Sequence, residues 1–182
     1  MQVTPNGGLL FVWRIIMLKK YFAEEKYEEI KNNQNLIYKS LEIVTNIFKN
    51  DLDKGGHPYI LHLLYVYSNV HNEKEKVIAL LHDIIEDKDV SDTDLLEVGY
   101  PEDIVMSVKL LSKSHGADYN KYIDNIINNG NVDTLNVKLA DLKHNMDISR
   151  IKDPTISDYE RIQKRYAPSY EKILNKLNEM EK

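Results

Sequence analysis

The 182-residue chain contains no cysteine, which excludes disulfides and thiolate chemistry and fits a reducing cytoplasm. It also has no apolar run of the roughly 20 residues that a membrane-spanning helix requires. The one apolar stretch near the start, Leu9 to Met17, is short and is broken by Arg14. A secretory leader needs a basic region before its apolar core and small residues after it. Here the basic pair Lys19-Lys20 comes afterwards. Residues 1–20 are therefore read as an extension that packs on the domain or reflects a mis-called start, with Met17 the natural initiator. The sharper alternative is an anchor for a membrane or a partner. There is no basic run or stripe, and the net charge is −5, which weighs against nucleic acid as the main partner. A small anionic ligand remains compatible if a metal and a few Lys or Arg line its site. No G-x-G-x-x-G, no convincing period-2 strand and no internal repeat occur, so a nucleotide-binding α/β fold is not expected.

What the chain does have is helical periodicity over most of its length. A hydrophobic fraction of 42% and a charged fraction of 29% suit one globular domain, placed here at residues 21–182. Glu24 to Asn32 is a short charged helix. Leu36, Leu41, Val44, Ile47 and Phe48 form an apolar stripe, so Asn35 to Asn50 reads as a helix. Gly55-Gly56 ends it, and Pro58 opens a helix over Tyr59 to Val70. Glu73 to Asp87 is read as one continuous helix. Ser91 or Asp92 caps a short helix ending at Gly99, and Pro101-Glu102-Asp103 opens one running to Ser112. Asp118 to Asn129 and Val132 to Met146 follow. A C-terminal helical region from Ile156 to Lys182 is expected to be interrupted at Pro168. The fold class is all-α, a single helical bundle.

The segment Val77 to Asp87 ends an aliphatic run in His82, Asp83, Glu86 and Asp87. Residues four apart share a helix face, so His82 lies over Glu86 and Asp83 over Asp87. Two acids and an imidazole beside so much aliphatic surface are costly unless a compensating charge is present, and a divalent cation supplies one. An HD dipeptide alone says little. Its weight comes from two further stretches, Gly56-His57-Pro58-Tyr59-Ile60-Leu61-His62 and Lys138-Leu139-Ala140-Asp141-Leu142-Lys143-His144-Asn145. Together they offer His62, His82, Asp83 and Asp141 as metal ligands. Two imidazoles and two carboxylates with room for water suit six-coordinate Mn²⁺, Fe²⁺, Co²⁺ or Ni²⁺ better than closed tetrahedral zinc. Glu86 and Asp87 then fit general acid/base work beside a metal-bound water.

In order and rough spacing, over residues 35–151, these three signatures resemble the HD phosphohydrolase superfamily. Within it they are most similar to the hydrolase domain of RelA/SpoT-type proteins and to small stand-alone alarmone hydrolases of animals. The resemblance implies an all-helical HD fold with Mn²⁺ on His62, His82, Asp83 and Asp141, and water activated or oriented by Glu86 and Asp87. It also implies contact of Asn145 with the ribose or nucleotide. The implied reaction removes the 3′-pyrophosphate from guanosine tetra- or pentaphosphate. Where the family carries an Arg-Lys-Ser-Gly-like segment along the guanine, this chain reads Asp53-Lys54-Gly55-Gly56. His57 replaces a family Glu, and Leu142 stands where long members carry Arg.

The expected partner is thus a small-molecule nucleotide. Lys54, in the segment the family lays along the guanine, is a candidate substrate contact, and Arg150 is a candidate phosphate contact. Tyr59 either stacks on a base or packs, and His144 is either an ordinary packed histidine or supports the site from behind by hydrogen bonding. Asp53 in place of Arg motivates an alternative, an HD phosphatase acting on NADPH or a nucleoside monophosphate. A non-catalytic nucleotide or metal sensor is a third reading, against which Glu86 and Asp87 stand.

Overall fold

A computed structural model describes residues 18–180 of the chain. The apolar stretch Leu9 to Met17 lies outside them. Leu18, counted above with the extension, is buried in the core.

Among the described residues the architecture is all-helical. The helices are α1 (Glu24–Asn32), α2 (Leu36–Ile47), α3 (Ile60–Ser68), α4 (Glu73–Leu81), α5 (Ile84–Asp87), α6 (Asp92–Glu97), α7 (Glu102–Leu111), α8 (Tyr119–Asn129), α9 (Val132–Met146), α10 (Ile156–Arg161) and α11 (Ala167–Met180). A 3₁₀ turn covers Ile148–Arg150, and a π-helical segment, Ile162–Tyr166, joins α10 to α11. Extended pairing is limited to one antiparallel bridge, Leu52 with Pro58.

Helix starts follow side-chain chemistry. Asn35, Asn72, Ser91, Asp118 and Asn131 each accept a backbone N–H at the head of a helix, meeting donors the helix itself cannot satisfy. Gly99, at φ +88°, supplies the left-handed turn after α6 that a Cβ would oppose.

Helix α4 is the centre of the packing. Val77, Ile78, Ala79, Leu80 and Leu81 are all fully buried. The helix contacts α2, α3, α7 and α9, and enclosure on all sides explains why it shows an apolar run rather than a stripe. Asn136 Nδ2 on α9 donates to the buried Glu75 Oε1 of α4 (2.7 Å), tying these two helices together.

Two expectations need correction. Glu73 to Asp87 is not one helix. It stops at Leu81, His82 and Asp83 form a turn, and α5 restarts at Ile84. Asp83 sits at φ −100°, ψ −3°, and the turn leaves both side chains of the HD pair at one polar centre. The C-terminal interruption precedes Pro168 instead of falling on it. Pro168 lacks the N–H that would reach Lys164 O, and its ring cannot tolerate that carbonyl at α-helical distance. The chain widens instead, with Ala167 N–H donating to Ile162 O, and α11 then continues from Ala167.

Candidate metal centre and cleft

Three elements deliver the polar centre. His62 comes from α3, His82 and Asp83 from the turn after α4, and Asp141 from the middle of α9. His62 Nε2 lies 3.3 Å from His82 Nε2 and 3.4 Å from both Asp83 Oδ2 and Asp141 Oδ1. His82 Nε2 lies 3.0 Å from Asp83 Oδ2 and 3.8 Å from Asp141 Oδ1. His62, His82 and Asp83 form a compact potential ligand group, with Asp141 Oδ1 against its two imidazoles.

This donor set fits a divalent ion. Ligands about 2.1 Å from one ion at right angles stand about 3.0 Å apart, and wider angles give more, which matches the spacings found. Hydrogen bonding fits as well. His82 Nδ1 faces Ala79 O at 2.7 Å. A carbonyl only accepts, so the hydrogen sits on Nδ1 and Nε2 presents its lone pair to the centre. His62 Nδ1 lies 2.7 Å from His144 Nδ1, so one of that pair donates. Of the two sequence readings of His144, support from behind is therefore the one present.

Electrostatics agree with a site built for positive charge. Burial disfavours the charged His82 ring, yet Asp83 and Asp141 outweigh it and push its pKa up to about 10. Burial would raise the Asp83 pKa, but the His82 and His62 rings hold it well below the usual carboxylate range. Asp141 is likewise held down against its burial, chiefly by Lys138, whose Nζ lies 2.8 Å from Asp141 Oδ2. Asn145 Nδ2 donates to Asp141 Oδ1.

The Tyr59 hydroxyl faces Asp83 Oδ2 (2.5 Å) and Asp87 Oδ2 (3.1 Å), so two carboxylates share one hydrogen. Burial and then Asp83 keep this phenol neutral far above its ordinary range. Its ring stacks on Phe48, with centroids 5.0 Å apart. Glu86 Oε2 accepts the Lys113 backbone N–H (2.7 Å). Desolvation raises the pKa of both Glu86 and Asp87, with repulsion from Asp83 adding to it.

All of these groups except Phe48, Ala79, His82 and His144 line one cleft of about 530 Å³. Besides its acidic groups, the cleft lining carries the cations Lys54, Lys113, Arg150, Arg161 and Arg165. The Lys54 pKa is lowered by burial and then by Arg161, Arg150 and Arg165, the mark of like charges held together. Arg150 is also engaged within the protein. It pairs with Asp53 (2.6 Å) and donates to His144 O (3.1 Å).

Sequence reasoning missed several cleft residues. Lys138 was readable, since a cation three residues before an acid on an apolar helix is paired with it. Arg161, Arg165 and Tyr166 lie well beyond the last motif, and only the fold brings them to the cleft.

Comparison with protein-family models gives no match, and comparison with curated proteins gives none. The solved structures do. The helical bundle, with its His-Asp centre between α3, α4 and α9, shares its fold with a solved structure. The chain matches the structure of a metazoan SpoT ortholog, described as hydrolysing ppGpp and acting in starvation responses. The TM-score is 0.63, with 19% sequence identity over 80% of this chain and 86% of that one. At that identity the likeness establishes the fold.

Proposed function

We propose that this chain is a metal-dependent phosphohydrolase of nucleotides, with guanosine tetraphosphate as its leading substrate, converted with water to GDP and pyrophosphate. The observation that carries this reading is that His62 Nε2 and His82 Nε2 lie 3.3 Å apart and that each approaches Asp83 Oδ2 and Asp141 Oδ1 to within 3.0 to 3.8 Å, in a cleft that also carries cations. The shared fold of the metazoan ppGpp hydrolase supports it. When bound, a divalent ion such as Mn²⁺ supplies Lewis acidity at a phosphoryl oxygen and a water of lowered pKa. The chain's own groups do the rest. Glu86 and Asp87, with raised pKa values, accept a proton from the attacking water and return one to the leaving O3′ as its bond to phosphorus breaks. Lys54, Arg161 and Arg165 hold phosphate oxygens, and Asn145 and Tyr59 line the nucleotide's path. Cysteine-free composition and the absence, among described residues, of any helix long and apolar enough to cross a membrane are compatible with action in the cytoplasm.

One observation favours a different nucleotide. Asp53, standing where the resembling family has Arg, neutralises Arg150 and so alters the wall expected to face the base. Purified protein with Mn²⁺ should be assayed against guanosine tetraphosphate, NADPH and nucleoside monophosphates, with phosphate detection and chromatography. Turnover of guanosine tetraphosphate to GDP and pyrophosphate is expected. Turnover of another nucleotide with none of the alarmone would refute the substrate and retain the chemistry.

A further inference from the structure

The two imidazoles of the metal centre are held in different ways. His82 is fixed by a carbonyl, Ala79 O at 2.7 Å, which can only accept. Its Nδ1 therefore carries a hydrogen, and Nε2 is the nitrogen left to give its lone pair to an ion at the centre. His62 has no carbonyl at its back. Its Nδ1 meets another imidazole nitrogen, His144 Nδ1, at 2.7 Å. That contact has two solutions. If His62 Nδ1–H donates, His62 Nε2 is bare and able to ligate. If His144 Nδ1–H donates, the hydrogen of His62 moves to Nε2 and blocks the ligand position.

His144 is built to stay in place. Its ring lies between Tyr65 and His62, with centroids 4.2 and 4.9 Å away, and it is buried. Its backbone carbonyl accepts from Arg150 Nε at 3.1 Å, and Arg150 is pinned by Asp53. Gly55 packs against Arg150 O so closely that a Cβ there would collide with it. The loop before α3 and the turn after α9 thus clamp the residue that stands behind His62.

We infer that His144 is a positioning residue for the metal centre: by accepting the His62 Nδ1 hydrogen, it selects the tautomer that turns a bare His62 Nε2 toward His82, Asp83 and Asp141. The inference rests on the metal-site reading above. Outer partners that fix a ligand's tautomer are generally worth about 10- to 100-fold in metal affinity. The Asp53–Arg150 pair then braces this arrangement, whatever else it does at the cleft wall.

The test uses the full chain stripped of metal and titrated with Co²⁺, followed by visible absorption. His144→Leu keeps bulk and removes the acceptor. His144→Asn keeps an acceptor oxygen near the Nδ1 position. The expected result is a loss of about 10- to 100-fold in Co²⁺ affinity for His144→Leu, with His144→Asn recovering most of it. A His144→Leu affinity within twofold of the parent would overturn the inference, and so would equal losses in two folded variants, which would mean packing alone. Should His144→Leu fail to fold, long-range ¹H–¹⁵N spectra of the unmutated Zn²⁺-loaded protein decide. Hydrogen on His62 Nδ1 and none on His144 Nδ1 is expected, and the reverse overturns the inference. Failure of the parent chain to take up Co²⁺ would instead remove the metal site itself. Normal uptake with an indifferent His144 would remove only the positioning role.

Discussion

Glu86 and Asp87 carry their negative charges at a cost in stability. Desolvation raises both pKa values, so the folded chain holds protons that the unfolded chain has released, and stability falls as pH rises through the folded-state values. Removing the charge should relieve that cost. Glu86→Gln is expected to lose about 10²- to 10⁴-fold in turnover while its melting temperature stays level or rises, since an amide oxygen still accepts the Lys113 N–H. If the ionised form is the working base, kcat/KM rises with pH along a limb displaced above the ordinary glutamate value of 4.5. A pH profile with no acid limb above that value would count against the assignment. Lys138 is the other informative residue. It is buried against Asp141, and Lys138→Met should cost about 3–5 kcal/mol in urea unfolding without divalent ions, because an uncompensated buried carboxylate remains. A loss under about 1 kcal/mol would show that Asp141 does not depend on it. That His62, His82, Asp83 and Asp141 come close together was legible from residue types and spacing. The Nδ1-to-Nδ1 contact behind His62 was legible only as one of two readings of His144, because tautomer choice depends on a three-dimensional neighbour.

At the scale of elements, helix periodicity located nearly every segment, and the departures concentrate at the site. The break at His82-Asp83 could not be read from period alone, since Val77 to Asp87 keeps helical spacing across it. The turn coincides with the place where the carboxylate and imidazole meet in one centre. Pro168 did signal an irregularity, but its consequence falls one turn earlier, where the π segment re-aims Arg161, Arg165 and Tyr166 toward the cleft. Such bulges are frequent at functional sites. Pro168→Ala restores the missing donor and removes the ring clash. The expected outcome is a chain at least as stable as the parent, with a raised KM for its phosphorylated substrate, because closing the bulge turns residues before it by about 100° about the helix axis. An unchanged KM would show that the bulge has no part in substrate binding. Gly55→Ala should be harmful, since its Cβ meets the Arg150 carbonyl. Lowered thermal stability and weakened metal uptake together are expected, and a silent substitution would contradict the clamp.

At the scale of the molecule, the all-helical bundle and its central buried α4 followed from hydrophobic patterning, while the cationic lining of the cleft did not. Its residues come from the loop before α3, the loop after α7, the turn after α9 and the C-terminal helices, and no motif links them in sequence. Binding energy at the shared centre should be felt throughout the fold. An ion bound only by the folded chain stabilises it by about 2.7 kcal/mol at a hundredfold excess over Kd, so the melting temperature should climb with Mn²⁺ concentration. The most direct measurement is a crystal structure with Mn²⁺, read from its anomalous signal. The expected result is one peak about 2.0–2.2 Å from His62 Nε2, His82 Nε2, Asp83 and Asp141. A peak elsewhere in the molecule, or none among these four side chains in a crystal grown with saturating Mn²⁺, would contradict the assignment of this chain as a metal-dependent phosphohydrolase.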